Sequence, residues 1–393
     1  MWWLTATGES SDPGATAIFA DLSPALRRPN YCSVRYYLIA GEPSGDLHGS
    51  RLVSAIRALD PAADIRAWGG DLMAQAGAEV VKHYRDLAFM GFVEVVRNLP
   101  TILANFRECK RDVAAFAPDR LVLIDYPGFN LRIAKWARRA GYDISYYISP
   151  QIWAWHTSRV KQIRANVDRM LVILPFEQDF YARHGVEATF VGHPLLDVVE
   201  EQSVRPRTHV ALLPGSRQQE ISRSLPIMLA AAARMPEQEY VIAGAPGQDE
   251  LFYRSLVAAA DSPPHLQLVS GRTYEILAGA TAALVTSGTA TLETALFQVP
   301  QVVCYRGSRL NYWLARKLVS DRIKFISLVN LVMDREVVPE LIQEAFNVDR
   351  VSEELQKIIA GPERDRQLKA LAKLRRVLGE GGAAERAAAA IVG

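Results

Sequence analysis

Little in this chain marks a specialised protein class. Cysteine is scarce: Cys32, Cys109 and Cys304 are the three in 393 residues, widely spaced and with no CxxC pair. Such a set excludes a disulfide scaffold and fits a reducing cytoplasm, and no cysteine–histidine pairing suggests a metal site. No apolar run approaches the roughly 20 residues of a membrane span, so the chain is expected to be soluble or to lie on a membrane surface. Neither sign of charge dominates, since 45 Lys and Arg against 43 Asp and Glu leave +2. That argues against a dedicated nucleic-acid binder while permitting local basic patches. Residues 1–34 open with Met1-Trp-Trp-Leu4 and continue in Gly, Ser, Asp and Pro. They lack the apolar stretch of about 7–15 residues that a signal peptide needs, and they read as a poorly ordered extension or an early start site.

What is present is ordinary globular composition, 49% apolar and 22% charged. The length suggests two domains of roughly 150–200 residues each. The stretch Val210-Ala-Leu-Leu-Pro-Gly-Ser-Arg-Gln-Gln-Glu-Ile221 is an apolar strand, a Gly turn and a helix start. Backbone N–H groups at such a turn point into a crevice at the positive end of a helix dipole, where phosphate binds. Arg217 adds an always-charged fork suited to phosphate oxygens. An ordinary turn with a solvated Arg would look similar, but a second turn of the same kind follows at Ala282-Ala-Leu-Val-Thr-Ser-Gly-Thr-Ala-Thr-Leu-Glu293. Two such turns can face one diphosphate. Glu293, within two turns of that helix start, suits ribose hydroxyls, or is a solvated helix Glu.

Taken in order, the first half begins with the strand Arg35–Ala40, which runs into Gly41-Glu-Pro-Ser-Gly-Asp-Leu-His-Gly49 and a helix through Leu59. This is not GxGxxG, so no dinucleotide fingerprint is supported. Ser44 or Asp46 can cap that helix, and the segment by itself reads as a structural turn. Strands near 65–70, 79–81, 120–124, 145–149, 169–174 and 188–191 alternate with helical patterns, as in a parallel sheet covered on both faces. Leu87–Leu99 carries Phe89, Met90 and Phe92 around a glycine, with Arg85, Arg97, Arg107, Lys110 and Arg111 nearby. It reads as a core helix or as an exposed patch that docks on anionic lipid. Arg120-Leu-Val-Leu-Ile-Asp-Tyr-Pro-Gly-Phe-Asn130 delivers Asp125 at a strand's carboxyl end, where open α/β sheets place ligands. A carboxylate against apolar walls has its pKa raised towards a general base's range. In Tyr147–Trp155 the tryptophans suit sugar stacking or inter-domain packing. Gly192-His193-Pro194 precedes a charged linker. The second half repeats the pattern with strands at 210–213, 239–243, 266–269, 282–286 and 301–305, and from Val351 onward it turns helical.

Nine segments in order then identify a resemblance: Gly41–Asp46, Met90–Val95, Ile124–Asn130, Tyr147–Trp155, Gly192–Pro194, Leu213–Arg217, Ser287–Glu293, Tyr305-Arg306 and Leu328–Leu331. The chain resembles the lipid-A-disaccharide synthase family from residue 36 to about 345. It departs from the family pattern at Gly128, where members often carry Asp, and residues 1–34 have no counterpart. The resemblance implies an α/β fold of GT-B type, with two tandem doubly wound Rossmann-like domains facing a cleft. Its divisions are an acceptor domain over 35–200, a UDP-sugar domain over 201–345 and C-terminal helices over 346–393.

The resemblance also implies an inverting, cofactor-free and metal-free hexosyltransferase. It would join UDP-2,3-diacylglucosamine to 2,3-diacylglucosamine 1-phosphate (lipid X) through a β-1,6 linkage and release UDP. Asp125 and Arg217 are the expected catalytic residues. Gly215, Ser216, Arg217, Ser287, Gly288, Thr289, Glu293, Arg306 and Asn330 are expected to hold the donor. Glu42, Ser44, Asp46, Asn130 and Trp153 are expected to hold the acceptor. Because both substrates are acylated, Phe89, Met90 and Phe92, together with Tyr312 and Trp313, are expected to meet the cytoplasmic face of the inner membrane. Homo-oligomerisation stays open. Two other readings are a UDP-N-acetylglucosamine 2-epimerase, which needs no acyl-chain surface, and a non-catalytic UDP-sugar sensor.

Overall fold

The computed structural model describes residues 33–87, 99–155, 157–200, 205–307 and 325–393. Almost all of the expected 1–34 extension lies outside the described residues, as do Phe89, Met90, Phe92, Tyr312 and Trp313. Two parallel sheets carry the rest. The first contains β1 Arg35–Ala40, β2 Asp64–Gly69, β3 Glu79–His83, β4 Arg120–Ile124, β5 Ile144–Tyr147, β6 Arg169–Val172 and β7 Ala188–Phe190. Its order is β3-β2-β1-β4-β5-β6-β7. The second contains β8 His209–Leu213, β9 Glu239–Gly244, β10 Leu266–Ser270, β11 Ala280–Thr286, β12 Gln301–Tyr305 and β13 Glu340–Ile342, in the order β10-β9-β8-β11-β12-β13. Both sheets therefore wind outward from their own first strand in the same sense, which is the doubly wound arrangement expected from the alternating pattern.

Burial on both faces explains why the strands read as nearly unbroken apolar runs. Side chains alternate across β1: Tyr36, Leu38 and Ala40 enter one core with Leu52, Val53 and Ile56 of the helix Pro43–Leu59. Tyr37 and Ile39 enter the other, with Cys109 and Val113 of Leu99–Phe116 and Phe129 and Ile133 of Pro127–Arg139. β8 repeats the device. Val210 and Leu212 pack on Ile221, Leu225 and Met228 of the helix Gln218–Ala232, while Ala211 and Leu213 meet Ile276 and Leu277.

The strand β13 is absent from the sequence reading. It is three residues long, pairs with β12 from Val303↔Glu340 to Tyr305↔Ile342, and has no apolar run to announce it. The three C-terminal helices also part company. Val351, Leu355 and Ile358 of Val348–Ile359 belong to the core of the second sheet. Leu371 and Leu374 of Pro362–Val377 join a cluster shared by Leu174, Leu195 and Leu196 from the first half and Leu292, Leu296 and Val303 from the second. The last helix, Ala383–Val392, returns to the first sheet, where Ala384, Ala387, Ala388 and Ile391 pack beside Leu52 and Ile56. Its Arg386 guanidinium donates to the carbonyls of Val191 at 2.8 Å, Gly381 at 2.8 Å and Glu380 at 3.0 Å. Among the described residues no helix is long and apolar enough to cross a membrane.

Candidate functional site at the two switch points

In each sheet the strand order reverses beside the first strand, between β1 and β4 and between β8 and β11. The crevice outside the carboxyl ends of such a pair is where open α/β sheets receive ligands. β1 and β4 end in register, Ala40 beside Ile124, and lead into Gly41–Asp46 and Asp125–Asn130. β8 and β11 end with Leu213 beside Val285 and lead into Pro214–Arg217 and Ser287–Thr289. All four turns singled out in the sequence stand at a switch point.

Asp125 is held in a strained turn. It and Tyr126 both take left-handed conformations, with φ of 42° and 50°. Two consecutive non-glycine residues there carry a conformational cost that surrounding bonds must offset. The Asp125 N–H donates to the Tyr147 carbonyl at 3.0 Å. The Asp125 carbonyl accepts from the Tyr146 hydroxyl at 2.6 Å and from Asn130 Nδ2 at 2.8 Å. Pro127 then starts the helix, a position where its missing N–H costs nothing. Gly41 is required by the same turn, because a β-carbon there would stand 2.3 Å from the Tyr126 ring. Burial pushes the Asp125 carboxyl up to about 7, and the neighbouring Glu42 charge pushes the same way. Burial also raises Glu42, and the Arg217 guanidinium works against that rise. Asp125, Glu42 and Arg217 thus lie within electrostatic reach in sequence, one sheet to the other.

On the second sheet Gly215 has φ of 114°, the left-handed region open to glycine. Ser216 N–H donates to Glu220 Oε2 at 3.3 Å, and Arg217 Nη1 pairs with Glu220 Oε1 at 2.7 Å. Gly288 precedes the helix Thr289–Leu296, and Ser287 Oγ donates to the Ile326 carbonyl at 3.2 Å. Glu293 has its carboxyl raised by burial and accepts from the Tyr274 hydroxyl at 3.3 Å. Tyr274 stacks on Phe297 with ring centroids 5.8 Å apart and feels the charge of Arg51 on the opposite sheet's first helix. Arg306 is exposed just beyond β12, and Ser44 is exposed in the first turn of Pro43–Leu59.

Four of the residues expected to hold ligand make bonds and packing contacts within the fold. Asp46 is 3% exposed, and it caps the short helix Asp71–Gln75, not its own. Its carboxylate accepts from the N–H groups of Gly70, Leu72 and Met73 at 2.8, 3.2 and 3.0 Å. Asn130 is fully buried, and its amide ties the carbonyls of Ile39, Ile124 and Asp125 together. It positions the Asp125 turn. Asn330 is fully buried too: Oδ1 accepts from Val337 and Val338 N–H at 2.7 and 3.0 Å, and Nδ2 donates to Val338 O and Glu340 Oε1. Trp153 donates to Glu177 Oε1 at 3.2 Å and meets Phe176 edge-on, within the cluster shared by both halves. Tyr146, Tyr274 and Glu220 carry contacts the sequence reading did not assign. Only Glu220, three residues past a Gly-Ser-Arg turn, had a signal, that of a helix-start carboxylate.

Comparison with known proteins adds family membership. A family model described as lipid-A-disaccharide synthetase matches residues 36–392. The lipid-A-disaccharide synthase of Syntrophus aciditrophicus is 43% identical over 367 residues, covering 89% of this chain and 95% of the relative. That of Myxococcus xanthus is 40% identical, covering 91% and 97%. Among solved structures, the glycotransferase of kitacinnamycin aligns at TM-score 0.64 and 15% identity over 92% of this chain and 98% of that one. The UDP-GlcNAc 2-epimerase of Neisseria meningitidis bound to UDP-GlcNAc aligns at TM-score 0.57 and 9% identity over 91% and 98%. At those identities the two structures speak for the GT-B-like fold alone.

Proposed function

The chain belongs to the lipid-A-disaccharide synthase family, and from that premise we propose how its own residues carry the reaction. The enzyme is a glycosyltransferase that moves 2,3-diacylglucosamine from UDP to the 6-hydroxyl of 2,3-diacylglucosamine 1-phosphate. Family membership also decides against the epimerase reading, whose support is likeness of fold.

What supports the residue assignment is the pair of switch points, one bearing Asp125 pushed up to about 7 and the other Arg217, whose charge acts on Glu42 beside Asp125. Asp125 takes the proton from the acceptor's 6-hydroxyl as that oxygen bonds to the anomeric carbon. The bond from that carbon to the diphosphate breaks, and its electron pair leaves on the UDP oxygen. One displacement inverts an α-linked donor to a β product. Arg217 and the N–H groups at the Gly215 and Gly288 turns receive the charge that develops on the departing diphosphate. Glu293, next to Tyr274, is suited to ribose hydroxyls. His48 and His193 compete poorly as bases, since burial lowers them to about 4 and about 3.

Both substrates carry acyl chains, and exposing them costs about 0.8 kcal/mol per CH₂. Docking at the anionic cytoplasmic surface of the inner membrane avoids most of that cost. Phe89, Met90 and Phe92, and Tyr312 and Trp313 among Arg309, Arg316 and Lys317, supply the apolar and cationic chemistry for it. The deciding experiment incubates the purified chain with both acylated substrates and measures UDP and the disaccharide phosphate. Product in the wild type, lost on Asp125→Asn with donor affinity retained, supports the assignment. Full turnover in Asp125→Asn sinks it. Phe89→Ser with Phe92→Ser should weaken binding to anionic vesicles without shifting the melt. Unfolding of that variant would make the segment core.

A further inference from the structure

The diphosphate assignment leaves one group without a role. Glu220 stands on the third residue of the helix Gln218–Ala232, and its carboxylate engages two of the donors that the turn offers an anion. Oε2 accepts from the Ser216 N–H at 3.3 Å, and Oε1 pairs with Arg217 Nη1 at 2.7 Å. Gly215 makes that approach available: a β-carbon on it would lie 2.9 Å from both Cβ and Oε2 of Glu220. The carboxylate is partly exposed, with 29% of the side chain open to solvent, so it can swing out without disturbing the helix behind it. A diphosphate oxygen and this carboxylate cannot both take the Ser216 N–H.

We propose that Glu220 is an internal stand-in for the donor's diphosphate, a specificity residue that the ligand must displace. This rests on the donor-site reading above. With its own carboxylate on those two donors, a monoanion or a neutral sugar gains little by displacing it. A nucleoside diphosphate, with more charge and a bidentate hold on Arg217, replaces the carboxylate and releases it to water.

A carboxylate that only braced Arg217 would have the opposite effect on affinity, so the two roles separate by sign. UDP titrated calorimetrically into the wild type, Glu220→Gln and Glu220→Ala is the test, with melting curves to confirm that all three fold. The stand-in role predicts tighter UDP binding in both variants, by about fivefold, the scale of one partly exposed ion pair. Weaker or unchanged binding in folded variants overturns it and makes Glu220 a brace for Arg217. Absence of UDP binding in the wild type overturns the donor-site reading, and this inference with it. Glu220→Gln keeps the side chain's shape, so a melt lowered in Glu220→Ala alone leaves the comparison intact.

Discussion

Replacing Asp125 with Asn should make the protein more stable while it destroys turnover, and the gain should depend on pH. The carboxyl is pushed from 3.8 up to about 7, by burial first and by Glu42 second. Between those values the native state binds a proton that the unfolded chain does not. Wild-type stability therefore falls as pH rises through that window, and the loss is complete above about 7. The full shift corresponds to about 4 kcal/mol at 1.36 kcal/mol per unit, of which about 2–3 kcal/mol accumulates between pH 5 and pH 8. Asn fills the same space, carries no charge and titrates nothing. Urea unfolding of both proteins at pH 5 and pH 8 measures the difference directly. The Asn variant should gain on the wild type by about 2–3 kcal/mol between the two conditions, with kcat down by about 10²–10⁴. In the wild type kcat/KM should rise about tenfold per unit below pH 7 and level off above it, because the base works deprotonated. A stability difference that does not change with pH would mean that Asp125 is ionised at little cost. The case for it as a base tuned by burial would then fail.

Arg217→Ala should lower turnover at saturating donor by about 10²–10³, and Arg217→Lys should restore only part because the fork is lost; near-normal turnover in the Ala variant refutes the diphosphate role. Glu42→Gln removes a charge that raises Asp125, so the acid limb of the pH–rate profile should move to lower pH. An unmoved limb would mean that the two carboxyls do not communicate. Asn330→Ala strips partners from two N–H groups, a carbonyl and a carboxylate in the interior. At about 1–3 kcal/mol for each buried group left unpaired, the variant should lose at least about 3 kcal/mol while its folded fraction still binds UDP. Lost UDP affinity at unchanged stability would return Asn330 to the donor site.

The strands and their turns are legible in the sequence for a physical reason. A parallel strand buried on both faces is an apolar run, and the polar or glycine residue that ends it marks the carboxyl edge where ligands sit. Arg120–Ile124 before Asp125 and Val210–Leu213 before Pro214-Gly215 are of this kind, and the structure places both at switch points. Which polar residue of a turn faces outward is another matter, because the deciding partner is remote in sequence. Asp46 finds the N–H of Gly70, 24 residues on, and Asn130 finds the carbonyl of Ile39, 91 residues back. Neither partner can be inferred from local spacing, so a motif shared across a family looks like a single ligand site. Its members divide in two. Asp125 and Arg217 follow the carboxyl ends of β4 and β8, where we propose that they meet substrate, and Asn130 and Asn330 bond main chain that would otherwise be buried unpaired. A left-handed Asp–Tyr pair at the end of β4 is held by Asn130, Tyr146 and Tyr147, which take up the Asp125 carbonyl and N–H and so offset the strain of the backbone that carries the proposed base.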